Sequence, residues 1–187
     1  GKLDPFDCEA FHASSIDFFA GVTDILTGKA VFFGKEDITP GLVVLRASCS
    51  LPALSKIVPF KGGEYLDGGV AAPIPFEKAL EEGCDKLIVV LTQPRDYRKK
   101  AQGGRAVYHA LYRKYPNLVK AIDRRHLVYN HALQKLRKLE EEGKAIVVAP
   151  QQALGVDRFG KEAEKLREAY GLGLSDGAEE LEIVKSL

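Results

Sequence analysis

A chain of 187 residues, 45% hydrophobic and 28% charged, suits one soluble domain with a real core. A net charge of +1 names no class of partner, and no apolar run approaches the roughly 18 residues of a membrane span. Cys8, Cys49 and Cys84 are odd in number, widely spaced and without a CxxC pair, which favours reduced thiols in a reducing compartment over a disulfide framework, and no signal peptide opens the chain.

The chain begins with Gly1 and contains no methionine. That fits genuine depletion, methionines missing from the sequence as written, or a fragment whose start lies upstream. The fragment reading is carried forward.

Residues 1–16 read as a loop and a short helix. Asp17 to Ile25 is strand-like, Leu26-Thr27-Gly28-Lys29 is a turn, and Ala30-Val31-Phe32-Phe33 returns, which predicts a hairpin. From Asp37 a helix is expected, capped by Asp37 or Thr39, with Pro40 early and Leu42, Val43, Leu45 and Arg46 following. It closes in the small-residue run Ala47-Ser48-Cys49-Ser50, which suits either a tight helix end or the approach of a ligand.

A second hairpin follows. Ile57-Val58-Pro59-Phe60 reaches a Lys61-Gly62-Gly63 turn and returns through Glu64-Tyr65-Leu66 to Asp67-Gly68-Gly69. Pro73 and Pro75 then open a helix from Phe76 to Gly83. Two glycines leave room around a carboxylate at a strand end. From residue types alone, the side chain of an Asp-Gly turn is as good a reading of Asp67 as any functional one, whether general base or metal ligand.

Lys86 to Thr92 is a continuous aliphatic run, and Ala145-Ile146-Val147-Val148-Ala149 repeats it. Both predict strands buried on two faces. Each follows a helical segment ending in glycine, Gly83 or Gly143, which is the rhythm of an α/β protein with a parallel sheet. Two helices, about 161–170 and 176–185, are expected to close the chain.

Charge is uneven. Between Pro94 and Lys138 stand thirteen Lys or Arg against two acids, whereas Leu139 to Leu187 holds eleven acids against six bases. The basic stretch reads as a loop and then two helices split at Tyr115-Pro116-Asn117. An anionic membrane surface, nucleic acid and a merely solvated face are all consistent with it, the membrane being preferred over nucleic acid because no nucleic-acid motif accompanies the charge.

His126 and His131 are five apart, not four, and His12 and His109 stand alone, so no metal is expected. Gly173-Leu174-Ser175-Asp176-Gly177 fits G-x-S-x-G, but the segment before it is charged and helical where a nucleophile elbow needs a buried strand. Ser175 reads better as a helix N-cap with acids in the first turn.

Asp67-Gly68-Gly69, preceded by Ala47-Ser48-Cys49-Ser50-Leu51-Pro52 and followed by Pro73-Ile74-Pro75, resembles the C-terminal portion of the patatin-like phospholipases, closest to bacterial patatin-like proteins. Val22-Thr23-Asp24, Thr27-Gly28, Leu45-Arg46-Ala47-Ser48, Ile88-Val89-Val90-Leu91-Thr92, the basic Pro94 to Lys100 stretch and Tyr170-Gly171-Leu172-Gly173 are similar to that family as well. On these residues the resemblance spans nearly the whole chain.

The resemblance implies an α/β class protein: a three-layer α/β/α fold with a largely parallel central sheet, the N-terminal part of the fold missing. Residues 1–187 would be the C-terminal portion of a single patatin-like domain, with 94–142 a basic, mostly helical insertion and 158–187 the C-terminal helices. It implies a serine acyl hydrolase of lipid or phospholipid esters using a Ser-Asp dyad and no cofactor. Asp67 would be the dyad base, supported by Gly68 and Gly69. The nucleophile serine and the oxyanion loop would lie before Gly1, so the isolated chain is expected to be inactive.

Beside a lipid substrate, Arg95, Arg98, Lys99 and Lys100 are expected to face substrate or membrane, in a cytoplasmic protein peripheral to the bilayer. A half-domain would also expose a sheet edge open to self-association. The alternative is a non-catalytic lipid- or membrane-surface-binding module derived from the same fold, with a nucleic-acid-binding domain a weaker third.

Overall fold

The computed structural model describes residues 6–156 and 160–185. Residues 1–5 of the expected opening loop, and 158–159 and 186–187 of the expected closing helices, lie outside the described residues. The chain divides into two compact units. One comprises residues 1–75 with 99–130, the other 76–98 with 131–187.

The first unit is built on four strands, β1 Phe19–Asp24, β2 Ala30–Gly34, β3 Val58–Phe60 and β4 Gly63–Asp67, in the order β2-β1-β4-β3. All three pairings are antiparallel. The turns dictate this. Asp24 Oδ1 accepts the N–H groups of Leu26 (2.9 Å) and Thr27 (2.7 Å), and Gly28 takes φ +68°, which reverses the chain after β1. Between β3 and β4 the turn is two residues, Lys61 at φ 45° and Gly62 at φ 79°, both left-handed as a hairpin turn matched to strand twist requires. Lys61 is an unusual residue there, and its ammonium is ion-paired with the buried Asp37.

Both faces of this sheet are covered. Tyr65 packs with Val22, Val58 and Ala47, the last on α2 (Val43–Ser48). Its neighbour Leu66 points the other way, into a cluster with Ile25, Val70, Tyr108, Tyr112, Leu118 and Ile122. Those last four come from α4 (Arg105–Leu111), the residue after it, and the start of α5 (Pro116–Glu141), the two helices being split at the expected Tyr115-Pro116-Asn117. Alternation of side chains along β4 thus serves two layers. A short α1 (Cys8–Ala13) precedes the sheet, capped by Asp7, which accepts the Ala10 N–H at 2.9 Å.

Two expectations fail here. The sheet is wholly antiparallel within this unit, not largely parallel: links of five and two residues force β1–β2 and β3–β4 into hairpins, and β1 and β4 join the two hairpins antiparallel as well. The caps expected for α2 are not used either. Asp37 sits in a 3₁₀ turn, Lys35–Asp37, and Leu42 begins α2 at φ 48° with no side-chain cap.

In the second unit, α3 (Phe76–Glu81) leads through Gly83 at φ +90° to β5 (Leu87–Val90), and the end of α5 leads through Gly143 at φ +67° to β6 (Ala145–Val148). The strands pair in parallel, Leu87 opposite Ala145 and Val90 opposite Val148, as the repeated rhythm predicted. Burial on both faces does not follow. Leu87, Ala145 and Val147 are buried, whereas Ile88 and Val90 are 52% and 70% exposed. An aliphatic run prefers burial but does not create the layer that would cover its second face.

The closing helices also differ from expectation. α6 runs unbroken over Ala163–Glu179, through Gly171, Gly173, Ser175 and Gly177, and is followed by α7 (Leu181–Lys185). None of those glycines takes a positive φ. Each costs a helix only about 1 kcal/mol, which a charged seventeen-residue helix tolerates.

Candidate active site

Asp67 is the last residue of β4, and its backbone is held on two sides. Its N–H donates to the Ser50 carbonyl at 2.8 Å, and its carbonyl accepts the Thr23 hydroxyl at 2.8 Å. Thr23 is fully buried, and its Oγ1 also accepts the Ala71 N–H at 3.2 Å. Ser50 is buried too, with its hydroxyl donated to the Arg46 carbonyl at 2.7 Å. The small-residue run after α2 is therefore a helix end that also anchors the aspartate.

The Asp67 side chain caps the 3₁₀ turn Gly68–Val70. Its Oδ1 accepts the Gly69 N–H at 2.7 Å, and among the described residues Oδ2 has no hydrogen-bond partner. The residue is half-buried. One carboxylate oxygen is thus fixed and the other is available to take a proton or receive a donor. That is the geometry of a positioned base, and it is equally that of an Asp-Gly turn, so the two readings converge on one conformation.

The two glycines act differently from the expectation that they merely clear space. Neither has a positive φ. A Cβ on Gly68 would lie 2.2 Å from the Gly21 carbonyl oxygen and 3.1 Å from the Val22 nitrogen, so the turn is pressed against the β1 backbone. At Gly69 a Cβ would meet side chains instead, Asp67 Oδ1 at 3.0 Å and Arg125 Nη2 at 3.2 Å. Arg125, on α5, donates from Nε to the Gly69 carbonyl at 2.6 Å.

The four basic candidates are not gathered together. Arg95 and Arg98 belong to the second unit, Lys99 and Lys100 to the first. Arg95 pairs with Glu140 at 2.7 Å and also bonds the Val147 carbonyl. Arg98 donates to the Tyr97 carbonyl at 2.8 Å. Lys99 exchanges backbone bonds with the Asn130 amide at 2.9 and 3.0 Å, and its ammonium lies 5.4 Å from the Tyr129 ring centre. Lys100 is exposed. Arg95 in particular spends its guanidinium inside its own unit.

Ser175 lies inside α6, so it occupies neither an elbow nor the expected N-cap. It borders a 360 Å³ cleft with Gln151, Asp176 and Glu179, and sits within a helix and not on the strand-to-helix turn that a nucleophile elbow needs. No group of three or more metal-ligating side chains occurs among the described residues, and no helix among them is long and apolar enough to cross a membrane.

Sequence reasoning missed Thr23, Ser50 and Arg125 as the residues around Asp67. Thr23 and Ser50 lie in segments already singled out, but nothing marked their hydrogen bonds. Arg125 carries no local signal at all, since its partner Gly69 is 56 residues away.

Comparison with known proteins divides the chain. Residues 5–80 match the family described as patatin-like phospholipase, which includes Asp67-Gly68-Gly69. Residues 115–187 match a different family, described as a domain of unknown function (DUF6363). The patatin-like match is thus narrower than the near-complete span expected, and it lies in the first part of this chain. The chain is also 28% identical over 134 residues to the uncharacterized protein YjjU of Escherichia coli strain K12, an alignment covering 71% of this chain. It spans 38% of that relative's length. At a coarse level the residues around Asp67 are similar to a lipid-hydrolase family, and the helices that follow are similar to one with no described function.

Proposed function

We propose that this chain supplies the aspartate half of a patatin-like serine acyl hydrolase, acting on lipid or phospholipid esters through a Ser-Asp dyad within a three-layer α/β/α fold. The observation that carries the reading is the state of Asp67: at the end of β4, inside the segment matching patatin-like phospholipases, with Oδ1 held by Gly69 and Oδ2 unpartnered among the described residues. In the reaction, Oδ2 takes the proton of a serine hydroxyl as that oxygen bonds to the ester carbonyl carbon. The proton passes to the departing alkoxide as the ester bond breaks. Water then attacks the acyl-serine, the same carboxylate accepting its proton and returning it to the serine oxygen as the acyl–oxygen bond breaks and the free acid leaves. A carboxylate is a weak base compared with an imidazole, so the oxyanion donors carry much of the barrier reduction. The serine and those donors belong to a segment outside this chain.

Hydrolysis of p-nitrophenyl esters tests this. In the full-length protein carrying the chain, Asp67→Asn should lower kcat by about 10²- to 10⁴-fold, the range for loss of a general base. The isolated 187-residue chain should be inactive. Robust ester hydrolysis by the isolated chain, abolished by Ser175→Ala, would overturn the reading.

A second reading, a non-catalytic membrane-surface module, is favoured by the exposed face of the first unit's helices. Val107 and Leu111, one turn apart on α4, are 65% and 56% exposed, and Lys120, Arg124 and Leu127 follow one stripe of α5. Apolar side chains and cations both exposed on these helices suit an anionic bilayer surface, at which a cytoplasmic protein would sit peripherally. Co-sedimentation with vesicles containing phosphatidylserine should then exceed that with neutral vesicles and fall with salt. Equal binding to both kinds of vesicle rules the reading out.

A further inference from the structure

Arg125 does more than decorate α5. Its Nε donates to the Gly69 carbonyl at 2.6 Å, while the N–H of the same glycine donates to Asp67 Oδ1 at 2.7 Å. Gly69 is therefore gripped from both of its peptide groups, by the carboxylate on one side and the guanidinium on the other. The second guanidinium arm lies on the same side of Gly69 as Oδ1, since the position its Cβ would take is 3.2 Å from Nη2 and 3.0 Å from Oδ1. A side chain at position 69 would stand between the two. We propose that Arg125 is the positioning residue of the Asp67 site: it fixes the turn Gly68–Val70, and through Gly69 it fixes which carboxylate oxygen faces the reacting serine.

This rests on the reading of Asp67 as the base. A base so weak contributes only when its free oxygen is aimed, and a 1 Å misplacement can cost about a hundredfold in rate. Two features make arginine the residue for the task. Its planar fork sets its donors at a fixed angle, so Nε can bond the Gly69 carbonyl while Nη2 stands over the same glycine. It also reaches the turn from a packed helix anchored at its start, where Asn117 Nδ2 donates to the Leu26 carbonyl at 2.8 Å. Rigid elements aim side chains better than loops do. Residue 125 lies in the segment matching the domain of unknown function, and Asp67 in the patatin-like match. The first turns of α5 would then be part of the hydrolase site.

The test uses the full-length protein carrying this chain, with p-nitrophenyl butyrate as probe, and amide hydrogen exchange as a readout independent of activity. Arg125→Ala should lower kcat about ten- to hundredfold with KM changed less than about twofold. Added methylguanidinium should restore part of that loss, and Arg125→Lys, which keeps the charge without the fork, should fall between the two. The Gly69 amide should exchange at least about tenfold faster in Arg125→Ala while Val22 and Leu66 keep their protection. If Arg125→Ala does not fold, Arg125→Lys decides by the same measurements. Wild-type kcat together with unchanged Gly69 exchange overturns the proposal. So does a loss shared equally by kcat and protein stability that methylguanidinium leaves unrescued. Should Asp67→Asn prove fully active, the base assignment fails by itself, and the exchange of Gly69 still decides whether Arg125 holds the turn.

Discussion

At the scale of single residues, Gly68 and Gly69 look interchangeable in sequence and are not. A Cβ at position 68 meets backbone, the Gly21 carbonyl at 2.2 Å, which can yield only if the β1–β4 pairing yields. At position 69 the obstacles are the ends of two side chains, which can swing away at little cost. Gly68→Ala is therefore expected to destabilise the protein by about 1–3 kcal/mol, as overpacking does, and Gly69→Ala by less. Urea unfolding monitored by circular dichroism compares them. A larger loss for Gly69→Ala would contradict the assigned contacts. Tyr108 and Asp123 supply a second residue-scale test. The Tyr108 hydroxyl donates to Asp123 Oδ1 at 2.7 Å, and Asp123 also meets His109 and Arg105. Burial first, and then that hydrogen bond, push the Tyr108 phenol from 10.0 to about 12. The hydrogen bond from Tyr108, reinforced by His109 and Arg105, holds the Asp123 carboxyl below its ordinary value. A raised phenol stabilises the fold below pH 10 and loses that contribution as pH climbs to about 12. A depressed carboxylate contributes above its unfolded value, about pH 3.9, and loses it as pH falls further. Tyr108→Phe should therefore lower the melting temperature near neutral pH and flatten both its alkaline and its acid decline, which a pH series of thermal melts reads directly.

At the scale of elements, the loop after α2 depends on a helix far away in sequence. Ala53 adopts φ 65°, a left-handed conformation that costs a residue with a Cβ about 1–2 kcal/mol, and its N–H donates to the Tyr112 hydroxyl at 2.8 Å. Tyr112 is itself buried, at the end of α4. Tyr112→Phe leaves that N–H without its partner and should cost about 1–2 kcal/mol, whereas Ala53→Gly should recover about 0.5–1 kcal/mol by relieving the conformation. Denaturant midpoints of the two single variants and the double variant would expose the coupling. α6 offers the opposite test. Nothing lies within 4 Å of a Cβ built at Gly171, Gly173 or Gly177, and all three are helical. Gly173→Ala should raise helix content and add about 0.5–1 kcal/mol, and a destabilised variant would mean that Ser175 sits on a turn after all.

At the scale of the whole molecule, the second unit leaves an aliphatic face uncovered. Ile88 and Val90 project from β5 into solvent, and among the described residues β5 pairs on one side only, with β6. A short strand with one open edge and an apolar face invites a further strand. Sedimentation velocity of the 187-residue chain should show association that Val90→Lys weakens, since a charge on that face opposes pairing. A monomer at high concentration, unaffected by the substitution, would show that this surface needs no partner.

Local chemistry made much of this legible in advance. Asp24 with Gly28, and Gly62 after β3, mark hairpin turns because few residues adopt left-handed backbone readily, and Gly83 and Gly143 mark helix ends for the same reason. The motif Asp67-Gly68-Gly69 marked the candidate carboxylate, since a lone acid before two glycines at a strand end is a local pattern. Periodicity was silent where the outcome depended on distant chain. It could not say that β1 and β4 would pair antiparallel, that Ile88 and Val90 would find no cover, or that α6 would run through three glycines. Nor could it place Arg125 on Gly69. Turns and strand ends are decided by a residue's own backbone and its immediate neighbours, which the sequence states outright. The partner of a carboxylate, the layer over a strand and the aim of a guanidinium are decided by which surfaces meet after folding, and only the tertiary structure holds that.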